Sequence, residues 1–146
     1  MSTEPTAISI VRGRRCVGYW ASRQGHPYPE KPQDNGMPLP DPRDLVYWQW
    51  PWAEAVAESL EAPFRLREGH DYGRLGEPDR RVIAYRGYSG CRLCDPHEDH
   101  YRHNGTREFD DGAYVWPEGL AHYVRAHGVR LDTEFVRHLL ANPYRG

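Results

Sequence analysis

Residues 91–128 read CRLCDPHEDHYRHNGTREFDDGAYVWPEGLAHYVRAHG. Cys91 and Cys94 form a C-x-x-C pair, a spacing with which one tight turn aims two thiolates at a single soft cation. Downstream, Asp111-Gly112 divides TREFD from AYVW and marks a hairpin, because a two-residue type I′ turn needs positive φ at both central positions. Trp116-Pro117-Glu118-Gly119 then opens a helix, with Pro at its first position and Glu where the helix dipole favours negative charge. Leu120, Tyr123 and Val124 make the apolar side of that helix. His122 and His127 lie on it as well, separated by four residues, within the H-x(3–5)-H range of zinc fingers. Five residues carry the helix about 140° beyond one full turn, so it must distort before both imidazoles meet one ion. Gly128, able to adopt a left-handed cap, supplies that ending. Knuckle, hairpin and helix follow in the order of ββα zinc fingers and treble-clef modules. Residues 86–128 are therefore expected to fold around one structural Zn2+ held by Cys91, Cys94, His122 and His127.

Two thiolates and two imidazoles fill a tetrahedron and leave no open position for water or substrate, which marks a structural rather than a catalytic metal. Competing ligands sit in the loop DPHEDHYRH at 95–103. There His97, His100 and His103 recur every three residues beside Asp95, Glu98 and Asp99, donors that together suit several divalent ions. The ordinary fate of such a polar cluster is a solvated surface loop. His100 and His103 nevertheless stand as alternatives to His127, whose register on the helix is the less comfortable.

Catalytic motifs are missing. Gly90 rather than Pro precedes Cys91, unlike the zinc deaminases, and His97-Glu98-Asp99-His100 is one residue short of H-E-x-x-H. The chain has no G-x-S-x-G, P-loop or dinucleotide fingerprint. Glu108, Asp110 and Asp111 suggest paired carboxylates, but a polar hairpin with a turn-forming Asp explains them. An HNH-like nuclease also builds a ββα element around a metal, yet it ligates through His, Asn and Asp, whereas two cysteines commit this element to structural zinc. No catalytic residue is assigned, and the residues favour a non-enzymatic role.

The chain has 146 residues, room for one domain that buries a core without disulfide staples. Only 38% of residues are hydrophobic, yet 12% are aromatic, including five Trp and ten Tyr, which points to a folded, aromatic-rich core. Nineteen basic against twenty-one acidic residues leave a formal charge of −2 and no global attraction for phosphate backbones. Arg107, Arg125, Arg130 and Arg137 could form a small basic patch, a weak nucleic-acid signal without aromatic interleaving. No stretch approaches the roughly 18 apolar residues of a membrane span, and the N-terminus lacks a leader pattern, so a cytoplasmic protein is expected. Three cysteines cannot all pair, which fits metal binding in a reducing compartment, with Cys16 left as a small buried hydrophobe in a strand.

Outside the zinc region, residues 7–12 and 15–21 are β-branched and aromatic runs around Gly13, expected as strands or a hairpin. Residues 23–44 are Pro-rich and read as a long loop. Pro51 suits a first helical position, and a helix is expected over 51–62 with Trp52, Val56 and Leu60 on one apolar stripe. The Trp cluster beside it reads chiefly as core, with an exposed partner surface as the alternative. Residues 63–80 read as loop and 81–89 as a strand. Asp132 is the N-cap of a C-terminal helix whose Phe135, Val136 and Leu139 face inward. The fold class is therefore α+β.

The segments GYSGCRLC, NGTREFDDGAYVWPEGLAHYVRAHGVRL and EFVRH resemble an uncharacterised family of small bacterial proteins, marked by DG-x-YVWPEGLAHYV at 111–124. GYWAS at 18–22 and LPDPRDLV at 39–46 resemble its N-terminal half. The stretch between Cys94 and Asn104 is longer here than that family suggests. The resemblance implies the zinc ligands and brings no activity with it. Together these readings favour a zinc-binding protein that acts by protein–protein recognition, in an adaptor or toxin-neutralising type of role. A zinc-dependent hydrolase with an unfamiliar site is the alternative, and a DNA-binding regulator using the 117–127 helix a weaker one.

Overall fold

The computed structural model describes residues 5–21, 33–66, 81–84, 90–95, 97 and 104–144. Its first two strands, β1 (Ile8–Val11) and β2 (Arg14–Val17), form the expected hairpin, in the register Ile8↔Val17 to Val11↔Arg14. The connection is Arg12-Gly13, with φ of 53° and 74°. Positive φ at both central positions matches the right-handed twist of the flanking strands. The Asp34 carboxylate takes both turn amides, Arg12 and Gly13, at 2.8 Å each. A left-handed backbone crowds the Arg12 Cβ, which Asn tolerates better. Arg12→Asn is therefore expected to raise stability by about 0.5–1 kcal/mol, read from the urea midpoint at unchanged slope.

Three further strands, β3 (Arg81–Ala84), β4 (Arg107–Asp110) and β5 (Val115–Pro117), complete a sheet of order β1-β2-β5-β4-β3. Every pairing is antiparallel except β2 with β5, which meet in parallel at Cys16↔Val115. Three helices, α1 (Ala53–Leu66), α2 (Leu120–His127) and α3 (Thr133–Ala141), accompany the sheet, with α1 in contact with both other helices and with β4. The expected α+β class is what the structure shows.

The core lies where the sheet meets the helices. Phe109, Trp116 and Phe135 make successive edge-to-face contacts at 5.0 and 5.6 Å, and Tyr114 adds another with Phe135 at 5.0 Å. Edge-to-face geometry sets the positive ring edge on a negative ring face. The Trp116 indole donates to Leu60 O at 3.1 Å, so a buried polar handle is satisfied by α1. Val56, Ala57, Leu60 and Phe64 bury the inner stripe of α1, and Phe135, Val136 and Leu139 bury that of α3 as expected.

Several expectations are corrected. The second strand ends at Val17 rather than running to 21: Gly18 still donates its N–H to Ala7 O, but its φ of 87° turns the chain out of the extended conformation. Helix α1 starts at Ala53, two residues later than expected, and continues through Pro63 to Leu66. The Arg107 guanidinium takes the carbonyl of Phe64 in its last turn. Trp52 precedes the helix and is 56% exposed, so it does not complete the apolar stripe. Pro117 ends β5 rather than opening a helix, and α2 starts three residues further on. The Asp111 turn is also different: its central residues are Gly112 and Ala113, only Gly112 has positive φ, and the Asp111 carboxylate caps the amides of Ala113 and Tyr114. Asp132 stands at the N-cap position of α3 but spends its carboxylate on Ala7 N and Thr6 Oγ1, tying residues 6 and 7 to the start of that helix.

Of the Pro-rich stretch, residues 33–41 are loop and Pro42–Leu45 is a 3-10 turn capped by Asp41. The rest of that stretch, the expected loop over 67–80 and the continuation of the 81–89 strand beyond Ala84 lie outside the described residues. Among those described, no helix is long and apolar enough to cross a membrane.

Candidate metal centre

Helix α2 carries two of the four donors. Leu120, Ala121, Tyr123 and Val124 bury its inner face. His122 projects beside that face, and the helix must end within one residue of His127. It does so at Gly128, φ 66°, where the amides of Gly128 and Val129 both return to Tyr123 O. This left-handed ending turns the chain and offsets the register problem of two histidines five positions apart. Their Nε2 atoms come within 3.2 Å of each other.

The two cysteines arrive from the turn at 90–95. Cys91 and Cys94 are 1% and 4% exposed, and the Leu93 amide points at Cys91 Sγ from 3.4 Å. Cys94 Sγ lies 3.1 Å from His122 Nε2 and 3.4 Å from His127 Nε2, and Cys91 Sγ lies 3.4 Å from His127 Nε2. All four donor atoms fall within 4.8 Å of one another. A tetrahedral zinc with bonds of about 2.3 Å to sulfur and about 2.0–2.1 Å to nitrogen sets S···N at about 3.5 Å and N···N at about 3.3–3.4 Å. The four donor distances of 3.1–3.4 Å lie near these values, and the cluster is compatible with a metal site.

Behind the donors, Tyr123 fixes the knuckle. Its hydroxyl accepts from Arg92 N at 2.7 Å and lies 3.3 Å from Gly90 O, while Trp20 packs edge-on against its ring. Burial first, then the neighbouring Cys91, holds the Tyr123 phenol well above its usual range, so it stays protonated and able to donate. Arg92 clamps the same turn by donating to Gly90 O and Ala21 O.

On its outer side the centre is braced by a segment whose role the sequence did not reveal. Tyr47 N donates to Gly128 O and Arg130 N to Leu45 O, and Val46 forms a β-bridge with Val129. Trp48 lies over Gly128: a Cβ there would come within 2.8 Å of the indole. Gly128→Ala is therefore expected to cost more than about 1 kcal/mol, from the left-handed φ and the ring together. It should also speed metal release to a chelator, measured beside the melting temperature.

Glu118 was expected to serve the dipole of α2 and instead clamps β4. It accepts from Thr106 N, Arg107 N and the Arg107 guanidinium. Burial alone would raise its pKa, but these hydrogen bonds win and lower it. The stabilisation is accordingly present above the ordinary carboxyl range and fades as pH falls through the depressed value.

The other sequence candidates disperse. His97 is exposed, its amide capped by Asp95, while His100 and His103 lie outside the described residues. Glu108 takes the Tyr19 hydroxyl, Asp110 pairs with Arg14, and Asp111 pairs with His138 at 2.6 Å. The three carboxylates serve three separate partners rather than one proton-transfer centre. Arg107 and Arg125 are engaged by Glu118 and by Glu54 and Glu61 respectively, so two of the four arginines of the conceivable basic patch are neutralised. Cys16 sits in β2, where burial, then Glu108, pushes its thiol up to about 11. It is a neutral packing group, not a nucleophile. Comparison of the chain with protein-family models, with curated proteins and with solved structures gives no match.

Proposed function

We propose that Cys91, Cys94, His122 and His127 hold a structural Zn2+, and that the protein works by recognising a protein partner, as an adaptor or neutralising factor does. The observation that carries this reading is the closure of the donor set. Four protein donors within 4.8 Å of one another are enough to fill a tetrahedron and leave no coordination position for substrate, and both cysteines are buried. The metal then serves folding. It joins the knuckle at 90–95 to the end of α2, and through Gly128 to the aromatic segment at 45–50.

Recognition is favoured over catalysis because the carboxylates nearest to forming an acid–base pair, Glu108, Asp110 and Asp111, are each committed to a separate partner. Exposed Trp and Tyr, by contrast, are residues that dominate binding hot spots. X-ray absorption of the zinc-loaded protein tests the metal half: two sulfur and two nitrogen neighbours are expected. Three protein ligands and a water oxygen would transfer the protein to the hydrolase reading. Capture of a stoichiometric, competable partner from the producing cells tests the other half.

A further inference from the structure

The segment Tyr47-Trp48-Gln49-Trp50-Pro51-Trp52 exposes its aromatic rings unevenly. Trp50 is 8% exposed, whereas Tyr47, Trp48 and Trp52 are 46%, 68% and 56% exposed. Hydrogen bonds from Trp50 N to Tyr47 O and from Ala53 N to Trp50 O curl the backbone, while Tyr47 N is bound to Gly128 O. The exposed rings are thus mounted on backbone that the buried Trp50 and the metal-site helix hold in place. Large apolar groups in water on a fixed frame mark an interaction surface.

Between this segment and α3 lies a cleft of about 350 Å3. Trp50, Trp52, Val136 and Leu140 give it apolar walls, and among the described residues Arg130 and Arg137 are the charged ones that line it. Among the described residues Arg137 has no ion-pair partner, and Arg130 has only the face of Tyr47, at 5.5 Å. Covering the cleft would strip water from two guanidinium groups, which favours an occupant that brings an anion with its apolar bulk. On the other side of Arg130 the surface changes sign: an adjoining hollow is lined by Asp44, Asp132 and Glu134. A uniformly charged polyanion would meet those carboxylates, so a protein segment fits the surface better than a nucleic-acid backbone.

We propose that this cleft is the docking site for the partner, taking a peptide segment that seats one large apolar side chain between Trp52 and Leu140 and places a carboxylate on Arg137. The inference rests on the recognition reading and gives it a location and a ligand chemistry. Trp52 is the anchor, and Arg137 selects for acid beside the apolar residue.

A phage-displayed library of random twelve-residue peptides, panned on the zinc-loaded full chain, tests it. Enriched peptides are expected to carry Leu, Ile, Phe, Tyr or Trp close to Asp or Glu. The affinity of a synthetic copy should fall at least about 10-fold in Trp52→Ala and in Arg137→Ala, as for central aromatic and Arg contacts elsewhere. Leu66→Ser, which removes an exposed apolar side chain outside the cleft, should leave affinity unchanged. Panning on Arg137→Glu should replace the acidic residues by Lys or Arg. Zinc stoichiometry and melting temperature of each variant establish that the fold is retained. Enrichment without acid, or binding indifferent to Trp52 and Arg137, overturns the proposal. So does tighter binding of single-stranded oligothymidine than of any peptide, or self-association abolished by Trp52→Ala. A native partner held equally by wild type and by Trp52→Ala/Arg137→Glu removes the cleft and keeps the recognition reading. Absence of any partner and any peptide removes both.

Discussion

Replacing Cys91 or Cys94 by Ser is expected to release the metal and abolish cooperative unfolding, whereas Cys16→Ser should lower the melting temperature only slightly. A structural zinc contributes on the order of 10 kcal/mol or more of apparent binding energy at neutral pH. That equals the whole stability of a typical domain, about 5–15 kcal/mol. Its loss here would unlink the knuckle at 90–95 from α2 and leave the Tyr123 hydroxyl and the Arg92 amide without a fixed counterpart. Cys16 differs in kind. Burial keeps its thiol neutral, and its Sγ lies 3.7 Å from Arg14 O, an acceptor within reach of a serine hydroxyl. The cost there is a lost packing contact and a small desolvation penalty, about 1 kcal/mol. Thermal unfolding followed by circular dichroism, with zinc content measured on the same samples, checks both. Equal melting of Cys91→Ser and Cys16→Ser would remove the ligand assignment.

The gathering of Cys91, Cys94, His122 and His127, and the separation of Cys16 from them, was legible because such donor sets are written in short-range spacing. C-x-x-C fixes two donors through one turn, and His122 and His127 share one helix, so both halves can be read from a few consecutive residues. The inward face of α3 is legible for the same reason, since Phe135, Val136 and Leu139 follow helical periodicity. What was not legible depends on partners distant in the chain. Asp132 has the identity of an N-cap, but Ala7 N and Thr6 Oγ1 compete for its carboxylate from 125 and 126 positions away. Glu118 has the look of a helix-dipole residue, yet the Arg107 guanidinium and the amides of Thr106 and Arg107, where β4 begins, claim it. Trp52 and Trp50 are two residues apart in one apolar run. Which of them is buried is decided by the turn before α1, and no periodicity exists in a turn. Gly128 was read correctly as the cap that ends α2. That it also seats Trp48 follows from the Val46↔Val129 bridge, a pairing 83 positions long that carries no local signal.

The same distinction sets the sharpest test of the fourth ligand. His127→Gln is expected to lose zinc during dialysis against a mild chelator, while simultaneous replacement of His97, His100 and His103 by Gln should leave one equivalent bound and the melting temperature nearly unchanged. Surface substitutions away from caps, core and ligands shift stability by no more than about 0.5 kcal/mol. His97 is exposed, and its described contact is made by its backbone amide, which Gln retains. His127, by contrast, places its Nε2 3.4 Å from each thiolate sulfur and 3.2 Å from its partner imidazole. The register that made His127 the less comfortable choice on an ideal helix is resolved by the left-handed Gly128, which ends α2 at the residue where continued winding would separate the two rings. Removing that imidazole opens one vertex of the tetrahedron to water and weakens the hold on the ion, and glutamine is a poor substitute because its neutral amide binds zinc weakly. Metal loss in the triple variant with retention in His127→Gln would move the fourth ligand to the 95–103 loop. Loss in both would mean that the loop contributes to the centre without replacing the helix pair.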